Sequence, residues 1–526
     1  MVKYGKGLVQ GMSFMDHLKE TLDSDYNVSI TENGAVGYRT TGKKLLDLNF
    51  QVSSLRNQSE QEVENRFAEV FCENPMLAIK WLFYAGDVRG GLGERRLFRI
   101  GITYLAKNHP KLANAVLELI PFYSRWDNLL CLLDTSLCEN VVGLIKQQLT
   151  EDMQLMKEQK PISLLAKWLP SANASSKETK RLARMIISKL DISEKQYRKT
   201  LSKLRAYLKV VEVSMSKKEW SQINYAAVPS RANLIYNHAF LRNDEERRRS
   251  YLESLKKGET KIHASVLFPH DIVNSYYDKV GWHYQLKPFD DTLEELWKAL
   301  PNYVSDSGDT ICVADGSGSM TSTIGGTKVS CLDVANALAI YFAERSSGQF
   351  YNSYITFSEH PKLVDLNPAA NLRGKLEIAN RHNEVANTNI EAVFQLILRV
   401  AVKQKMKQED LPQNILILSD MEFDSCATCN SNGRPDERLF QTFARQYQEE
   451  GYQLPRLIFW NICSRTGTIP VRENKLGVIL VSGFSPNIMK MVMSNSVDPM
   501  EALLEQLQAE RYDAVEQAIK NIYRSI

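Results

Sequence analysis

The sequence predicts a protein of two domains, an N-terminal α-helical solenoid followed by a C-terminal α/β domain. Its 526 residues allow roughly two to four domains of ordinary size. From about residue 60 to residue 300, apolar residues recur every three or four positions in segment after segment, and Pro, Gly, Asn and Asp separate the segments. From residue 309 onward, short apolar strands alternate with amphipathic helices, a pattern that indicates a parallel, doubly wound sheet.

The N-terminal domain is predicted over residues 1–305 and begins with a small β-hairpin. Residues 26–52 carry strand-forming residues around the turn dipeptide Asn33-Gly34, so we expect strands and turns near residues 26–50. The helical segments after this hairpin are joined by short turns and show no strict sequence repeat. Helices in this arrangement are typical of an irregular α-solenoid.

The C-terminal domain is predicted over residues 306–526. Its expected strands are residues 311–314, 351–357, 414–419, 456–462 and 477–482. Its expected helices are residues 330–345, 390–405 and 434–450, and the last thirty residues should form one helix or a helix pair.

Composition places the chain among soluble globular proteins. Apolar residues make up 44% and charged residues 24%, and no run approaches the ~18 consecutive apolar residues of a membrane span. The eight cysteines are scattered, as expected for reduced thiols in the cytosol, and the N-terminus lacks the apolar core of a secretory signal. We therefore expect a cytoplasmic protein with no membrane partner.

Charge is distributed unevenly along the chain. Residues 151–250 hold 21 basic and 11 acidic residues, while the whole chain has a net charge of only +3. This segment is a candidate surface for a polyanion. The alternative is that its basic residues only solvate helix faces.

The strongest chemical motif comes directly after the first strand of the α/β domain. Asp315, Ser317 and Ser319 lie on alternate residues of a short turn, where ligands of parallel sheets bind. One carboxylate and two hydroxyl groups suit a hard cation, which prefers oxygen ligands. Thr388 precedes the helix at 390–405, and Asp420 follows the strand at 414–419, so both should return to the same sheet edge.

These five residues resemble the metal-ion-dependent adhesion site of von Willebrand factor A domains. In that family an Asp-x-Ser-x-Ser motif is followed by a distant Thr and then an Asp, and all of these positions have a counterpart here. The resemblance implies a Rossmann-like α/β domain that binds a divalent ion through Asp315, Ser317, Ser319, Thr388 and Asp420. Mg²⁺ is the expected ion, with Mn²⁺ and Ca²⁺ as alternatives. It also implies that the ion can accept a carboxylate from a protein ligand.

The helical part resembles the TROVE module of the Ro family, in particular a bacterial, phage and plant branch catalogued as a domain of unknown function. The pieces that carry this resemblance are DVRGGLGER (87–95), RWD (125–127), LLAKWLPS (164–171), YRKTLSKLR (197–205), INYAAVPSRAN (223–233) and LFPHDIV (267–273). The resemblance spans about residues 30–490. It implies a ring of HEAT-like helical repeats closed by the A domain, which binds structured or single-stranded non-coding RNA. We expect a monomer of this kind.

Basic side chains in the two segments around residues 167–205 are the RNA-binding candidates. They are chosen by charge and not by alignment with known RNA contacts: Lys167, Lys177, Lys180, Arg181, Arg184, Arg198, Lys199, Lys203 and Arg205. Arg89, Arg95, Arg96 and Arg99 offer a second possibility, a phosphate cradle at the glycine turn. We favour an ion-pair network there, with Asp87 and Glu94 as the acidic partners.

The sequence favours a binding protein over an enzyme. It has no phosphate loop, no His-Glu-x-x-His helix and no Gly-x-Ser-x-Gly elbow. A phosphoryl-accepting Asp315 would call for a second Asp two residues later, where this chain has Ser317. Cys426 and Cys429 form one close pair, and a zinc site usually needs four ligands. The alternative function is a metal-dependent protein-protein interaction scaffold.

Overall fold

The computed structural model describes residues 15, 26–280, 283–304, 309–325, 327–357, 360–382, 389–424, 439–472, 476–492, 496 and 498–524. Up to residue 300 the chain is mostly helical, and a six-stranded sheet dominates the remainder of the chain. The predicted combination of a helical part and an α/β part is therefore confirmed. Within the described residues no helix is both long enough and apolar enough to cross a membrane.

The predicted N-terminal hairpin is shorter than expected. Strands β1 (Val28–Ile30) and β2 (Val36–Tyr38) pair antiparallel, and Gly34 adopts the positive φ that the turn requires. The expectation of strands and turns as far as residue 52 is wrong, because Lys44–Phe50 forms helix α1. This helix buries its leucine side chains and Phe50, and apolar spacing along such a short segment does not separate helix from strand.

The helices of the N-terminal part are arranged one after another with short connections. In chain order they are α2 (Glu60–Glu73), α3 (Pro75–Gly86), α4 (Arg95–Asn108), α5 (Pro110–Ala115), α6 (Ile120–Tyr123), α7 (Cys138–Lys157), α8 (Leu165–Trp168), α9 (Lys177–Leu190), α10 (Glu194–Tyr207), α11 (Val211–Ser216), α12 (Ser230–Asn243), α13 (Glu245–Lys256), α14 (Pro269–Ser275) and α15 (Asp291–Lys298). A second hairpin, β3 (Tyr277–Val280) with β4 (His283–Leu286), lies between α14 and α15 and was not predicted.

The sheet of the C-terminal part is mixed. Its strands are β5 (Thr310–Asp315), β6 (Ser353–Phe357), β7 (Lys362–Asp365), β8 (Asn414–Ser419), β9 (Arg456–Asn461) and β10 (Val478–Ser482). Their spatial order is β10-β9-β8-β5-β6-β7, with every neighbouring pair parallel except β6 and β7. The prediction of an all-parallel sheet is wrong at this edge, because β7 forms a short antiparallel hairpin with β6.

The helices of the C-terminal part complete the fold. They are α16 (Cys331–Arg345), α17 (Leu372–His382), α18 (Ile390–Gln404), α19 (Leu439–Glu449), α20 (Met489–Val492), α21 (Pro499–Leu507) and α22 (Asp513–Arg524). Helix α16 is buried on almost all sides because it lies between the sheet and α14 of the helical part. This position explains why its sequence is apolar around most of its circumference.

The helical part contacts the α/β part at both of its ends. At its start, α1 packs on β10 and the C-terminal helix α22 packs on α3 and α5. At its end, α14 packs on α16. The buried Lys80 side chain pairs with Glu516 across the first contact, at 2.6 Å. The chain therefore returns at its C-terminus to the helices with which it began.

Candidate functional site

The candidate metal site lies at the carboxyl ends of β5 and β8, the central neighbouring strands of the sheet. The chain leaves β5 towards one side of the sheet and later enters β8 on its other side, so the strand order reverses here. Open α/β sheets bind ligands at such a switch point, and we call this place the crevice. Asp315 ends β5, and Asp420 directly follows β8. The sheet therefore brings together two carboxylates that lie more than one hundred residues apart in sequence.

Asp315 is held by hydrogen bonds from neighbouring hydroxyl and amide groups. Its Oδ1 accepts from the Ser317 amide at 2.9 Å, and its Oδ2 accepts from the Ser419 hydroxyl at 2.6 Å. The Ser317 and Ser319 hydroxyl oxygens are 3.0 Å apart, and Ser319 also donates to Asp420. Four of the five predicted ligands thus gather in one place. Thr388 lies outside the described residues.

Burial sets the electrostatics of the two carboxylates. Burial raises the pKa of Asp315 well above the usual range, and the hydrogen bonds from Ser419 and Ser317 offset only part of this. Burial also raises the pKa of Asp420, and repulsion from Asp315 raises it further. Two carboxylates that cannot both ionise without a nearby positive charge form a site that favours a cation.

A cation of the protein itself approaches this site. Arg465, in the loop after β9, places Nη2 3.5 Å from Asp420 Oδ2 and 2.5 Å from Oε2 of Glu32. Glu32 belongs to the turn between β1 and β2, so the N-terminal hairpin contributes a carboxylate at the rim of the crevice. No local pattern links positions 32, 420 and 465, so neither Glu32 nor Arg465 was predicted from the sequence.

Buried Glu422 fixes the hairpin against the loops after β8 and β9. Its carboxylate accepts hydrogen bonds from the amides of Glu32, Arg465 and Thr466, at 2.8, 2.8 and 2.9 Å. The Ser464 and Thr466 hydroxyl groups also donate to it. The loops that frame the crevice are therefore joined through one buried acid, and their arrangement depends on the N-terminal hairpin.

The donor set fits a hard divalent cation. Two carboxylates and two hydroxyls supply oxygen atoms only, which suits Mg²⁺, Mn²⁺ or Ca²⁺ and not a thiophilic metal. Among the described residues no group of three or more His, Cys, Asp or Glu side chains is placed to hold a metal, so any ion at this site relies on the serine hydroxyls. Cys426 and Cys429 lie outside the described residues.

The glycine-rich segment 87–95 builds a joint between the two parts of the molecule. Asp87 is fully buried and pairs with Arg511, whose Nη2 donates to Oδ1 at 3.0 Å and whose Nε donates to Oδ2. The Tyr512 hydroxyl also donates to Asp87. A Cβ atom on Gly91 would lie 1.9 Å from the Tyr84 carbonyl oxygen, so only glycine fits the turn.

The predicted partners within this segment are wrong. Glu94 pairs with Arg56 and Asp87 with Arg511, so neither acid pairs with the arginines at positions 89, 95, 96 and 99. Arg96 instead donates to the carbonyl oxygens of Leu55 and Gln58. The ion pairs were predicted between residues close in sequence, but the partners of both acids come from other elements of the structure.

Most of the RNA-binding candidates lie on the helix pair α9–α10. Six of them have no ion pair with any described residue, and apart from the half-buried Lys180 their side chains are exposed: Lys177, Lys180, Arg184, Arg198, Lys199 and Lys203. Positions 177, 180 and 184 share one face of α9, and 199 and 203 share one face of α10. We name these six residues the basic helix face.

The other three candidates have partners within the protein. Arg205 donates to the carbonyl oxygens of Ala166 and Leu169 and so holds α8 against α10. Arg181 pairs with Asp134 and with Glu178, each at 2.7 Å. Lys167 is half-buried, with Nζ 3.9 Å from Glu212. Of these, Arg205 is the one whose geometry serves the fold alone.

The structure defines a protein of two parts. The α-helical part carries the basic helix face, and the α/β part carries the crevice that is lined by carboxylate and hydroxyl groups. The chain belongs to the family described as "Domain of unknown function (DUF2828)", whose model matches residues 31–123 and 135–310. A second model, "Domain of unknown function (DUF7788)", matches residues 309–523. These matches confirm the branch to which the predicted resemblance pointed.

A curated relative extends over nearly the whole chain. "Uncharacterized protein L728" of Acanthamoeba polyphaga mimivirus is 30% identical over 522 residues, which cover 92% of this chain and 87% of the relative. The two family models and this relative therefore span both parts of the molecule.

Proposed function

We propose that the protein binds structured or single-stranded non-coding RNA on the basic helix face and catalyses no reaction. In this proposal the helical repeats and the α/β part, of von Willebrand factor A type, close into a ring of the Ro kind. The contacts at both ends of the helical part support ring closure. The observation that carries the proposal is the absence of acidic partners, within the described residues, for the six side chains of the basic helix face.

Unpaired cations in two neighbouring rows suit a polyanion. Phosphate groups of a nucleic acid can neutralise them and release counterions, which gives an affinity that falls steeply with salt. Where a surface arginine has an acidic neighbour, as Arg249 has Glu245, the protein itself already neutralises part of its charge. The side chains of the basic helix face have no such neighbour paired with them among the described residues.

Crosslinking and sequencing of RNA that copurifies with the full-length protein tests this function. The double variant Lys177→Glu and Arg184→Glu should lose the bound RNA, because it reverses two exposed charges of the basic helix face. The control variant Lys403→Glu and Lys407→Glu makes the same change of charge in the α/β part, where both side chains are exposed, and should keep the RNA. Equal RNA recovery from both variants would contradict the proposal.

We also propose that the crevice between β5 and β8 binds Mg²⁺. Asp315, Ser317, Ser319 and Asp420 would hold the ion, and Thr388 joins them by the resemblance to the A domain. A bound ion would relieve the repulsion between the two buried carboxylates. In the full-length protein, Mn²⁺ or Mg²⁺ should raise the melting temperature, and Asp315→Asn should abolish that rise. The same rise in this variant as in wild type would exclude the site.

A metal-dependent protein scaffold is the second candidate. It is favoured by Glu32, whose carboxylate already approaches Asp420 through Arg465 and marks the rim as a place where an acidic side chain fits. A scaffold would show little RNA binding and would need the metal for its partner. Retention of a protein partner that EDTA releases, together with no RNA above background, would favour this candidate over the first.

A further inference from the structure

Three guanidinium groups converge on a single carboxylate oxygen near the first turn of α4. Asp127 Oδ2 accepts from Nη2 of Arg95, Arg99 and Arg125, at 3.0, 3.0 and 2.5 Å. We call Arg95, Arg99 and Arg125 the arginine cluster. One negative charge is shared among three positive charges, so the group has a surplus of two positive charges.

This surplus is costly in the protein alone. Burial, together with repulsion from Arg125 and Arg99, lowers the pKa of Arg95 to about 10, although the attraction of Asp127 opposes this shift. The three arginine side chains are 41, 36 and 32% exposed, while Asp127 is 15% exposed. Solvent therefore reaches the cations more readily than the acid that partly neutralises them.

Each arginine of the cluster has a hydrogen-bond donor group without an acceptor in the described part of the protein. Among the described residues, the Nη1 groups of Arg95, Arg99 and Arg125 donate to no protein acceptor. The Arg95 Nε atom is buried and also has no partner. Arg99 also donates from Nε to Asn128 Oδ1 at 2.8 Å, and Arg125 donates from Nε to Asp127 Oδ1 at 2.9 Å, so these two arginines help to hold the local fold. The donors that remain for a ligand are the three Nη1 groups, which the described part of the fold does not use.

An aromatic side chain and a further cation lie beside the cluster. The Arg125 guanidinium stacks 3.8 Å from the centre of the Trp168 ring, and Lys167 Nζ lies 5.7 Å from the same ring. Both Trp168 and Lys167 belong to α8, which Arg205 of α10 holds in place. The arginine cluster is thereby linked to the basic helix face through α8.

We infer that the arginine cluster binds a backbone phosphate of the RNA strand, an inference that rests on the proposed RNA-binding function. Planar guanidinium groups match phosphate oxygens in a forked geometry, and a phosphate can accept from the spare Nη1 donors while Asp127 keeps the Nη2 donors. Stacking on Trp168 fixes the orientation of Arg125, so little side-chain freedom is lost on binding. The cluster is separate from the six residues of the basic helix face.

Fluorescence anisotropy with a labelled twelve-nucleotide oligouridylate, at several salt concentrations, tests the inference in the full-length protein. Arg99→Gln and Arg125→Gln should each weaken binding about tenfold and reduce the salt slope by about one, because each removes a phosphate contact. Asp127→Asn should act in the opposite direction and tighten binding several-fold, since it removes the competing carboxylate. Arg249→Gln removes an exposed arginine on α13 and should leave binding unchanged.

A second readout separates the cluster from the RNA function. Pyrophosphate should raise the melting temperature of the wild-type protein and not that of the Arg99→Gln, Arg125→Gln double variant. If RNA binds wild type and this double variant equally, with the same salt slope, the inference is overturned while the proposed function stands. If no RNA binds but the pyrophosphate effect is lost in the variant, the proposed function fails and the phosphate site remains. Should the arginine variants fail to fold, unchanged or weaker binding by Asp127→Asn would overturn the inference.

Discussion

The helical part contains two halves that use their charges differently. The docked half (residues 44–108 and 269–298) packs on the α/β part, and its buried charges have partners across the contact, as in Asp87 with Arg511 and Lys80 with Glu516. The free half (residues 138–216) packs mainly on neighbouring helices, and its basic helix face has no acidic partner among the described residues. Buried charges in the docked half pair across the contact, whereas the six charges of the basic helix face have no such pairing among the described residues.

The largest expected effect is in the docked half. Arg511→Ala leaves Asp87 buried without its cation, and we expect a loss of about 3–5 kcal/mol in the free energy of unfolding. Thermal and denaturant unfolding of the full-length protein measures this. Arg524→Ala removes an exposed arginine at the end of α22 and should change stability by at most about 0.5 kcal/mol. A similar small effect for both variants would mean that the joint contributes little.

A pair of glycine substitutions sharpens the contrast between the halves. Gly91→Ala places a methyl group 1.9 Å from the Tyr84 carbonyl oxygen and should cost about 3 kcal/mol. Gly143→Ala, on the exposed side of α7, meets nothing within 4 Å and should stabilise the protein by about 1 kcal/mol. Opposite shifts of the melting temperature are expected, and shifts of the same sign would contradict this view of the two positions.

His270 makes the docked half sensitive to acid. Burial lowers the pKa of His270 to about 4, with Asp271 opposing and Arg56 and Arg231 adding to the shift. The unfolded chain takes up this proton below about pH 6.5 and the folded chain does not, so stability falls as the pH drops from about 6.5 to about 4. The loss should reach about 2 kcal/mol at pH 5.

The variant His270→Leu checks this prediction. His270 packs edge-on against Phe484, and its Nδ1 has no hydrogen-bond partner, so an apolar replacement removes the titrating group without breaking a bond at that atom. The difference in unfolding free energy between pH 8 and pH 5 should be smaller in the variant by about 2 kcal/mol. Parallel pH profiles for the two proteins would assign the acid sensitivity to other groups.

The smallest expected effect on stability is in the free half. Lys177→Glu with Arg184→Glu should change the free energy of unfolding by at most about 0.5 kcal/mol, because both side chains are exposed and have no ion pair with a described residue. Circular dichroism melting curves measure this change. A large loss would show that the basic helix face serves the fold, which would remove the distinction between the halves.

Local patterns predicted most strands and helices of the α/β part, but they did not predict helix α17 (Leu372–His382). The buried strand at 414–419 and the helix at 390–404 lie where apolar periodicity indicated. Periodicity did not predict β7 or the hairpin β3–β4, because strands of four residues carry too few positions to establish an alternation.

In the candidate sites, residues marked by a local sequence pattern were predicted, and residues that come from distant segments were not. Asp315 and Asp420 could be placed because each follows a buried strand, and parallel strands end at one edge. Arg465 could not be placed, because it reaches Asp420 from a separate loop.

An ion pair between Arg125 and Asp127 is predicted by their positions beside Trp126, and the structure contains it. The pairing of Asp127 with Arg95 and Arg99 was missed, because both come from α4, about thirty residues earlier in the chain.

The joint at Asp87 has a consequence for how the chain is made. Ser53, Lys80 and Asp87 bond to groups that lie 429, 436 and 424 residues later in the sequence. At about 5–20 residues per second, a ribosome would deliver the partner of Asp87 roughly 20 to 85 seconds after Asp87 itself. During that interval Lys80 and Asp87, which are buried in the folded protein, lack their ion-pair partners. The first helices also expose the apolar surface that α22 later covers. A nascent chain of this design completes this core only after residues 511 and 516 have been made, so shorter products that end before them would remain open to chaperones and proteases.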